Sequence, residues 1–124
     1  MQSIMLCKAG GKMYDKAQLL KGLQEGCVLQ IINTKDTYGY EIVTTLQKKG
    51  FQSVKEGTIY PLLLRLEKNG YISSNFRISE RGPARKYYQI TDLGKEHLAE
   101  FVLAWQEVTQ LVDFVFSDEK GEEK

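Results

Sequence analysis

With 124 residues, of which 42% are hydrophobic and 27% are charged, the chain is long enough for one globular core and too short for two independent ones. No uninterrupted apolar run approaches the roughly 20 residues of a membrane-spanning helix, and the amino terminus lacks a signal-peptide core with a small-residue cleavage site, so we expect a cytoplasmic protein. The formal net charge of +1 hides an asymmetry, because residues 55–86 hold seven basic and three acidic side chains, a net charge of +4, as expected for a surface that meets an anion or a polyanion.

The first part of the chain is predicted to form an arm followed by two helices. Residues 1–15 show no sustained periodicity and contain two adjacent glycines, so we expect a flexible arm. Residues 16–32 are apolar over a broad face, which predicts a largely buried helix. Thr37 is a plausible N-cap for a second helix over residues 38–49, which Gly50 would end.

A third helix is predicted to end at Gly70, and its start has two interpretations. The pattern S-x-x-E from Ser53 to Glu56 is a capping box that would begin the helix there. Pro61 would then lie past the first turn, where the loss of a backbone hydrogen bond costs up to roughly 3 kcal/mol. A later start with Thr58 as the cap would place Pro61 where it costs little. The sequence leaves both starts open.

After the third helix the apolar pattern changes to a period of two, which predicts a β-hairpin. The two strands are YISSNFRI (71–78) and RKYYQI (85–90), and SERGP (79–83) supplies the turn residues, so the hairpin has a basic tip. Alternate residues share a face: Ile72, Phe76 and Ile78 in the first strand, and Lys86, Tyr88 and Ile90 in the second, opposed by Arg85, Tyr87 and Gln89.

The last predicted element is a long helix over residues 92–116 with Thr91 as its N-cap. Its apolar residues have the 3-4-3-4-3 spacing of a coiled-coil seam. We expect this seam to pack against a second copy of the chain; the alternative is that the helix folds back on its own domain. Residues 117–124 would be a disordered acidic tail. The seam, and so the predicted dimerisation set, consists of Leu98, Phe101, Trp105, Val108, Val112 and Val115.

The order of these elements is that of a winged helix-turn-helix. The predicted fold class is therefore mainly α with a small β-hairpin, with a DNA-binding domain over residues 16–91 and a carboxy-terminal dimerisation helix. In such domains the third helix enters the major groove and the hairpin reaches phosphates or the minor groove. Lys55, Thr58 and Tyr60 lie near the leading end of that helix, where hydroxyls and backbone amides can donate hydrogen bonds to phosphates.

Three motifs in this order carry a family resemblance: YGYEI (38–42), GTIYPLLLRLEKNGYI (57–72) and GPARKYYQIT (82–91), preceded by LLKG (19–22). Together they resemble the PadR family of bacterial transcriptional regulators, over roughly residues 19–100. The resemblance implies a dimeric winged-helix repressor whose carboxy-terminal helix makes the dimer. By its length and its single terminal helix the chain is similar to the small PadR subfamily.

The resemblance also implies which residues approach promoter DNA. It puts Tyr38, Thr58 and Tyr60 close to DNA and Arg85 and Lys86 in the wing. One departure is Leu64, which stands where many members have a second basic residue. With the basic residues of the middle segment added, the candidate DNA-binding set is Tyr38, Lys55, Thr58, Tyr60, Arg65, Arg81, Arg85 and Lys86.

Trp105, at the centre of the seam, has two interpretations. It is either an aromatic residue of a dimer core or part of a ligand site. The resemblance favours the second, because small multidrug-sensing members also have a tryptophan midway along this helix, where two copies sandwich flat aromatic compounds in a pore. Stacking between indoles suits such planar ligands. The candidate ligand-binding residues are Phe101, Val102, Trp105 and Val108, with Gly22 and Gly26 on the facing helix leaving space.

The expected mechanism follows from two-fold symmetry. A homodimer presents its recognition helices about 34–36 Å apart to a pseudo-palindromic promoter. A planar aromatic ligand between the terminal helices would shift the population away from the form that binds DNA.

Other functional classes are disfavoured. Cys7 and Cys27 have no metal-like spacing, His97 falls on the exposed side of the last helix, and no catalytic or phosphate-binding motif is present, so we expect no enzyme, metal or cofactor. Two alternatives remain: a winged helix that binds a protein instead of DNA, and a small-molecule binder that has lost DNA affinity.

Overall fold

The computed structural model describes residues 14–79 and 82–117, and it is mainly helical with a small antiparallel sheet, as predicted. Two amino-terminal helices, α1 and α2, are separated by one 3-10 turn over Lys21–Leu23. The elements are α1 (Lys16–Leu20), α2 (Gln24–Thr34), β1 (Thr37–Tyr38), α3 (Gly39–Lys48), α4 (Glu56–Lys68), β2 (Ile72–Ser79), β3 (Gly82–Ile90) and α5 (Asp92–Ser117).

Some predictions fall on residues outside this range. They are the conformations of residues 1–13 in the arm and of residues 118–124 in the tail, and the place of Arg81 in the hairpin turn. In the described part of the chain, no helix is both long enough and apolar enough to cross a membrane.

The core lies between α2, α3, α4 and the base of the hairpin. Its residues recur at helical spacing on each helix, so one face of each is buried. In α4 this face includes Ile59, Leu63 and Leu66, all fully buried. The remaining core members are Val28, Leu29, Ile32, Ile42, Val43, Leu46, Val54, Leu62, Ile72, Tyr88 and Leu98.

The sheet has three strands in the order β1-β3-β2, all antiparallel. The sequence predicted the β2–β3 hairpin, here called the wing, but not β1, which pairs Thr37 with Tyr88 and Tyr38 with Tyr87. The register between β2 and β3 shifts between Arg77 and Ser79. Ile72 is buried at the base of the wing, whereas Phe76 is 69% exposed and Ile78 is 87% exposed, because the distal half of the wing extends past the core.

The predicted N-cap at Thr37 is wrong. Helix α3 begins after Tyr38, which has an extended backbone and makes no side-chain cap. Thr37 is fully buried in β1, and its hydroxyl donates a hydrogen bond of 2.6 Å to the carboxylate of Glu41. Pairing with β3 holds Thr37 one residue too early to cap the helix.

Neither predicted cap of the third helix forms. Helix α4 begins at Glu56 after Lys55, and neither Ser53 nor Thr58 supplies a capping hydrogen bond. Pro61 therefore occupies the sixth position of the helix, past the first turn, and the i−4 carbonyl that it leaves without a donor belongs to Gly57.

Helices α3 and α4 end as predicted, at glycines with positive φ. Gly50 has φ of +114° and Gly70 has φ of +85°. At α4 the amide of Tyr71 donates to the carbonyl of Leu66 over 3.0 Å, and the amide of Gly70 donates to Glu67, also over 3.0 Å. These are the two bonds of a Schellman motif, and a residue with a Cβ would be strained at the glycine position.

Thr91 caps α5 as predicted. Its hydroxyl oxygen accepts a hydrogen bond of 2.9 Å from the amide of Gly94, and the same hydroxyl lies 2.7 Å from the carbonyl of Gly70. The beginning of α5 is thereby joined to the end of α4.

Helix α5 packs on α2 and β3. Gly94 and Leu98 are its buried residues. The interpretation that the whole helix folds back on its own domain is wrong for the described residues, since Trp105 is 44% exposed and Val112 is 48% exposed. Within residues 14–79 and 82–117, the carboxy-terminal half of α5 is an uncovered apolar helix.

Candidate nucleic-acid interface

The leading end of α4 is exposed. Because the core takes one face of this helix, the residues between the buried positions point outward. Lys55 and Thr58 are exposed, and Tyr60 is 41% exposed. Leu64, one turn after Tyr60, is 62% exposed on the same side, so the departure from the family pattern places an apolar side chain at the centre of the outward face.

Four of the predicted DNA-binding residues meet in one open cleft between α4 and the wing. The cleft has a volume of about 400 Å³, and we call it the wing cleft. The phenol rings supply flat apolar walls, and the two basic residues supply positive charge. Its lining consists of Tyr38, Gly39, Tyr40, Tyr60, Arg85, Lys86 and Tyr88, of which Tyr38, Tyr60, Arg85 and Lys86 belong to the predicted set.

The position of Tyr60 in the wing cleft depends on Gly39. The ring of Tyr60 lies directly against the Gly39 backbone, so a Cβ at residue 39 would overlap the ring. Burial, and to a lesser extent the carboxylate of Glu56, raise the pKa of the Tyr60 phenol. A phenol is protonated at neutral pH even without this shift, so the hydroxyl can donate a hydrogen bond to an anion.

Arg85 lies over the ring of Tyr38. Its guanidinium carbon is 4.5 Å from the ring centroid, a distance at which the cation is attracted by the ring face. Among the described residues no carboxylate forms an ion pair with Arg85. Its charge is thus held in place by a ring that does not neutralise it.

Lys86 points to the other face of β3 and is partly neutralised. Its Nζ lies 3.3 Å from a carboxylate oxygen of Glu67 on α4, and 5.6 Å from the centroid of the Tyr88 ring. A 2.6 Å hydrogen bond from Ser74 and the contact with Lys86 together hold the pKa of the Glu67 carboxyl below its usual range. Lys86 therefore ties the wing to α4, and Arg85 is the less compensated of these two residues of β3.

The other predicted residues do not line the wing cleft. Thr58 and Arg65 border a separate hollow together with Lys21 and Glu25 of the amino-terminal segment. Lys55 borders a third hollow beside Tyr40. The described members of the predicted set are thus divided among three separate hollows.

Tyr40 is a lining residue that the sequence did not predict. It is 57% exposed and lies between the wing cleft and the hollow that contains Lys55. The motif YGYEI, which identified Tyr38, contains Tyr40 and was the available signal.

The predicted ligand residues of α5 are only partly brought together. Phe101 and Val102 border a cavity of about 630 Å³ between α2, α3 and α5, whereas Trp105 and Val108 lie farther along the helix and do not line it. The expectation that Gly26 leaves space is wrong, because the Phe101 ring of the same chain fills that space. A Cβ at Gly22 would meet no atom of the described residues within 4 Å. Within the described part of the chain, no group of three potential metal ligands occurs.

Comparison with known proteins gives one family and several solved relatives. A model of the transcriptional regulator PadR-like family matches residues 28–100. The crystal structure of a PadR-like transcriptional regulator from Bacillus cereus is 48% identical, covers 85% of this chain and 99% of the Bacillus chain, and has a TM-score of 0.74. A Streptococcus transcriptional regulator is 47% identical, with coverages of 79% and 96% and a TM-score of 0.72.

A functionally described relative is more distant. The negative transcriptional regulator PadR of Bacillus subtilis is 28% identical over 87 residues. The match covers 68% of this chain and 48% of the Bacillus protein.

Proposed function

This chain belongs to the PadR-like family of transcriptional regulators, and we propose on that basis that it is a ligand-responsive repressor that binds pseudo-palindromic promoter DNA as a homodimer. Its class is that of a DNA-binding regulator and not of an enzyme. A regulator of promoters works beside the chromosome, which agrees with the expected cytoplasmic location.

The wing cleft is the observation that carries the DNA-binding part of the proposal. Tyr60 of α4 and Arg85 of the wing, which forms no ion pair with a carboxylate of residues 14–79 or 82–117, line the same open space. With α4 in the major groove, Tyr60 and Arg85 would bind phosphates on the flanking backbone, and Tyr38 would orient the arginine. Lys55, Thr58 and Arg65 would bind the backbone on the other side of the helix, with Lys86 and Arg81 adding positive charge along the wing.

The uncovered half of α5 supports the homodimer. Within the described part of the chain, nine large apolar side chains between Val102 and Phe116 are exposed. A second copy related by a two-fold axis would bury the same surface on both chains, with Leu98, Phe101, Trp105, Val108, Val112 and Val115 at the seam. The two α4 helices would then face half-sites about 34–36 Å apart.

The repressor role is supported by the Bacillus subtilis relative, which is named a negative regulator. A bound dimer would exclude other proteins from the promoter sequence that it covers.

A planar aromatic molecule is the proposed ligand. The surface that Trp105 exposes on α5 provides a flat ring, and in a dimer two such rings would come from related helices. Phe101 and Val102 border an apolar cavity, and Val108 lies one turn beyond Trp105. A ligand held between the α5 helices would act on DNA binding through the separation of the two α4 helices.

DNA binding can be tested by fluorescence anisotropy with a labelled fragment of the gene's own upstream region and an unrelated fragment, at several salt concentrations. We expect tighter binding to the first fragment and a steep fall of log affinity with log salt, because phosphate neutralisation releases counterions. Absence of binding to both fragments at low salt would instead favour a winged helix that binds a protein through the exposed Leu64.

Ligand binding can be tested with a planar aromatic dye and the variants Trp105→Ala and Trp105→Phe. We expect the alanine variant to lose about tenfold or more in dye affinity, since a stacked aromatic pair and its buried area are removed, and the phenylalanine variant to retain part of it. Leu103→Ala, on the opposite side of α5, is the matched control. Unchanged dye binding by Trp105→Ala would contradict the ligand site.

A further inference from the structure

The wing contains two like charges directly opposite each other. Arg77 of β2 and Arg85 of β3 are partners in the antiparallel register. Like charges in this arrangement repel and destabilise a strand pair. Two tyrosines and one aspartate lie beside the two guanidinium groups.

Each arginine lies over a different tyrosine. The guanidinium carbon of Arg77 is 4.5 Å from the centroid of the Tyr87 ring, and that of Arg85 is 4.5 Å from the centroid of the Tyr38 ring. The two rings contact each other edge to face, with centroids 5.2 Å apart and an interplanar angle of 60°. We call Arg77, Tyr87, Tyr38 and Arg85 the arginine–tyrosine stack.

Among the described residues, a carboxylate neutralises the arginine at only one end of the stack. Asp36, in the turn before β1, forms an ion pair of 2.7 Å with Arg77, whereas Arg85 has no such partner among the described residues. A side-chain oxygen of Asn75 also accepts a hydrogen bond of 3.3 Å from Arg77. Arg77 is thus held on Tyr87 at one end, and Arg85 remains charged at the other.

We propose that Asp36, Arg77 and Tyr87 are positioning residues that hold the Arg85 guanidinium in the orientation that binds a DNA phosphate. Asp36 removes the repulsion between the two arginines, and Tyr87 supports the ring on which Arg85 lies. This inference rests on the proposed DNA-binding function. It adds three residues that support Arg85 without contacting DNA themselves.

The variant Asp36→Asn distinguishes a positioning role of Asp36 from a simple effect of net charge, because the two predict opposite changes in DNA affinity. Removing a carboxylate near a polyanion strengthens binding if only net charge matters. If Asp36 positions Arg85, the variant binds the upstream fragment about fivefold more weakly. A loss of this size is expected when a cation–π contact is no longer held in place. The matched control is Glu96→Gln, at an exposed position on α5 outside the candidate DNA surface, which should bind equally or slightly more tightly.

Tyr87 gives a second test without a change of charge. Tyr87→Leu should weaken binding by a similar factor, and Tyr87→Phe should restore it, because the stack needs the ring and not the hydroxyl. Both Asp36→Asn and Tyr87→Leu should also reduce the steepness of the plot of log affinity against log salt. The expected reduction is roughly 0.9, the contribution of one phosphate contact. A residue that only stabilises the fold would leave this slope unchanged.

The control that assigns the effect to Arg85 is a double-mutant cycle. In an Arg85→Gln background, Asp36→Asn and Tyr87→Leu should cause no further weakening, since their shared target is gone. Tighter or unchanged binding by Asp36→Asn, or full additivity with Arg85→Gln, would overturn the inference while leaving DNA binding intact. If the unmodified protein fails to bind either fragment, both the proposed function and this inference are contradicted.

Discussion

Gly39 shows how a single missing side chain can position a candidate DNA-binding group. The Tyr60 ring lies where a Cβ on residue 39 would be, at the first position of α3. The phenol is partly buried there, and this burial raises its pKa. A larger residue at this position would push the ring out of the wing cleft.

We therefore expect Gly39→Ala to weaken binding to the upstream fragment about tenfold, because a hydrogen bond to a charged group contributes roughly 1.5–3 kcal/mol. Binding can be measured by anisotropy, with circular dichroism to show that the helices remain. In a Tyr60→Ala background the substitution should have no further effect. Equal affinity of Gly39→Ala and the unmodified protein would show that Tyr60 is not held for DNA.

At the residue scale the sequence predicted the caps that depend on local chain geometry alone. Thr91, Gly50 and Gly70 act as expected, since an N-cap hydroxyl and a positive φ are determined within a few residues. Thr37 and Ser53 had equally suitable side chains, but Thr37 is taken by a strand pair with β3, and Ser53 lies outside a helix that starts at Glu56. The ring contacts of Tyr60 and Arg85 were not predictable, because they join residues far apart in the chain.

At the element scale the contact between α5 and the base of the wing depends on Gly94. A Cβ at this position would overlap the backbone carbonyl oxygen of Tyr71 and come within 2.8 Å of the Ile90 side chain. Backbone atoms cannot give way as a flexible side chain can. The close approach, and not helix propensity, accounts for a glycine in the first turn of a long helix.

We expect Gly94→Ala to lower the free energy of unfolding by about 1–3 kcal/mol, the usual cost of overpacking, although alanine is the better helix former by roughly 1 kcal/mol. Gly22→Ala, where the new methyl group meets no atom within 4 Å, should be neutral or slightly stabilising. Urea unfolding at one fixed protein concentration compares the two. A Gly94→Ala variant as stable as Gly22→Ala would show that α5 can shift away from Tyr71 at no cost.

The helices and the wing were predictable because each has a sustained period and a clear terminator. The first helix contains a 3-10 turn at Lys21–Leu23 that no pattern indicated, and β1 has only two residues, too few to show a period. That short strand is nevertheless what brings Tyr38 beside Tyr87, and so it builds one wall of the wing cleft.

At the scale of the whole molecule, α5 is the element on which the proposed dimer depends. Its amino-terminal end is fixed to the core through Gly94, Leu98 and Phe101, and its remaining apolar residues are exposed. The seam spacing was readable from the sequence, since it depends on period alone. The separation of two α4 helices across a dimer axis was not, because it depends on how the seams cross.

We expect Val112→Glu to weaken the dimer by about 100-fold or more, because an unpaired carboxylate in an apolar interface costs several kcal/mol. Gln110→Glu, about half a turn away and exposed, introduces the same charge outside the seam and should remain dimeric. Sedimentation velocity over a range of concentrations distinguishes the two. Since a single chain reaches only one half-site, Val112→Glu should also lose most of its affinity for the upstream fragment, while a dimer as tight as that of Gln110→Glu would place the interface elsewhere.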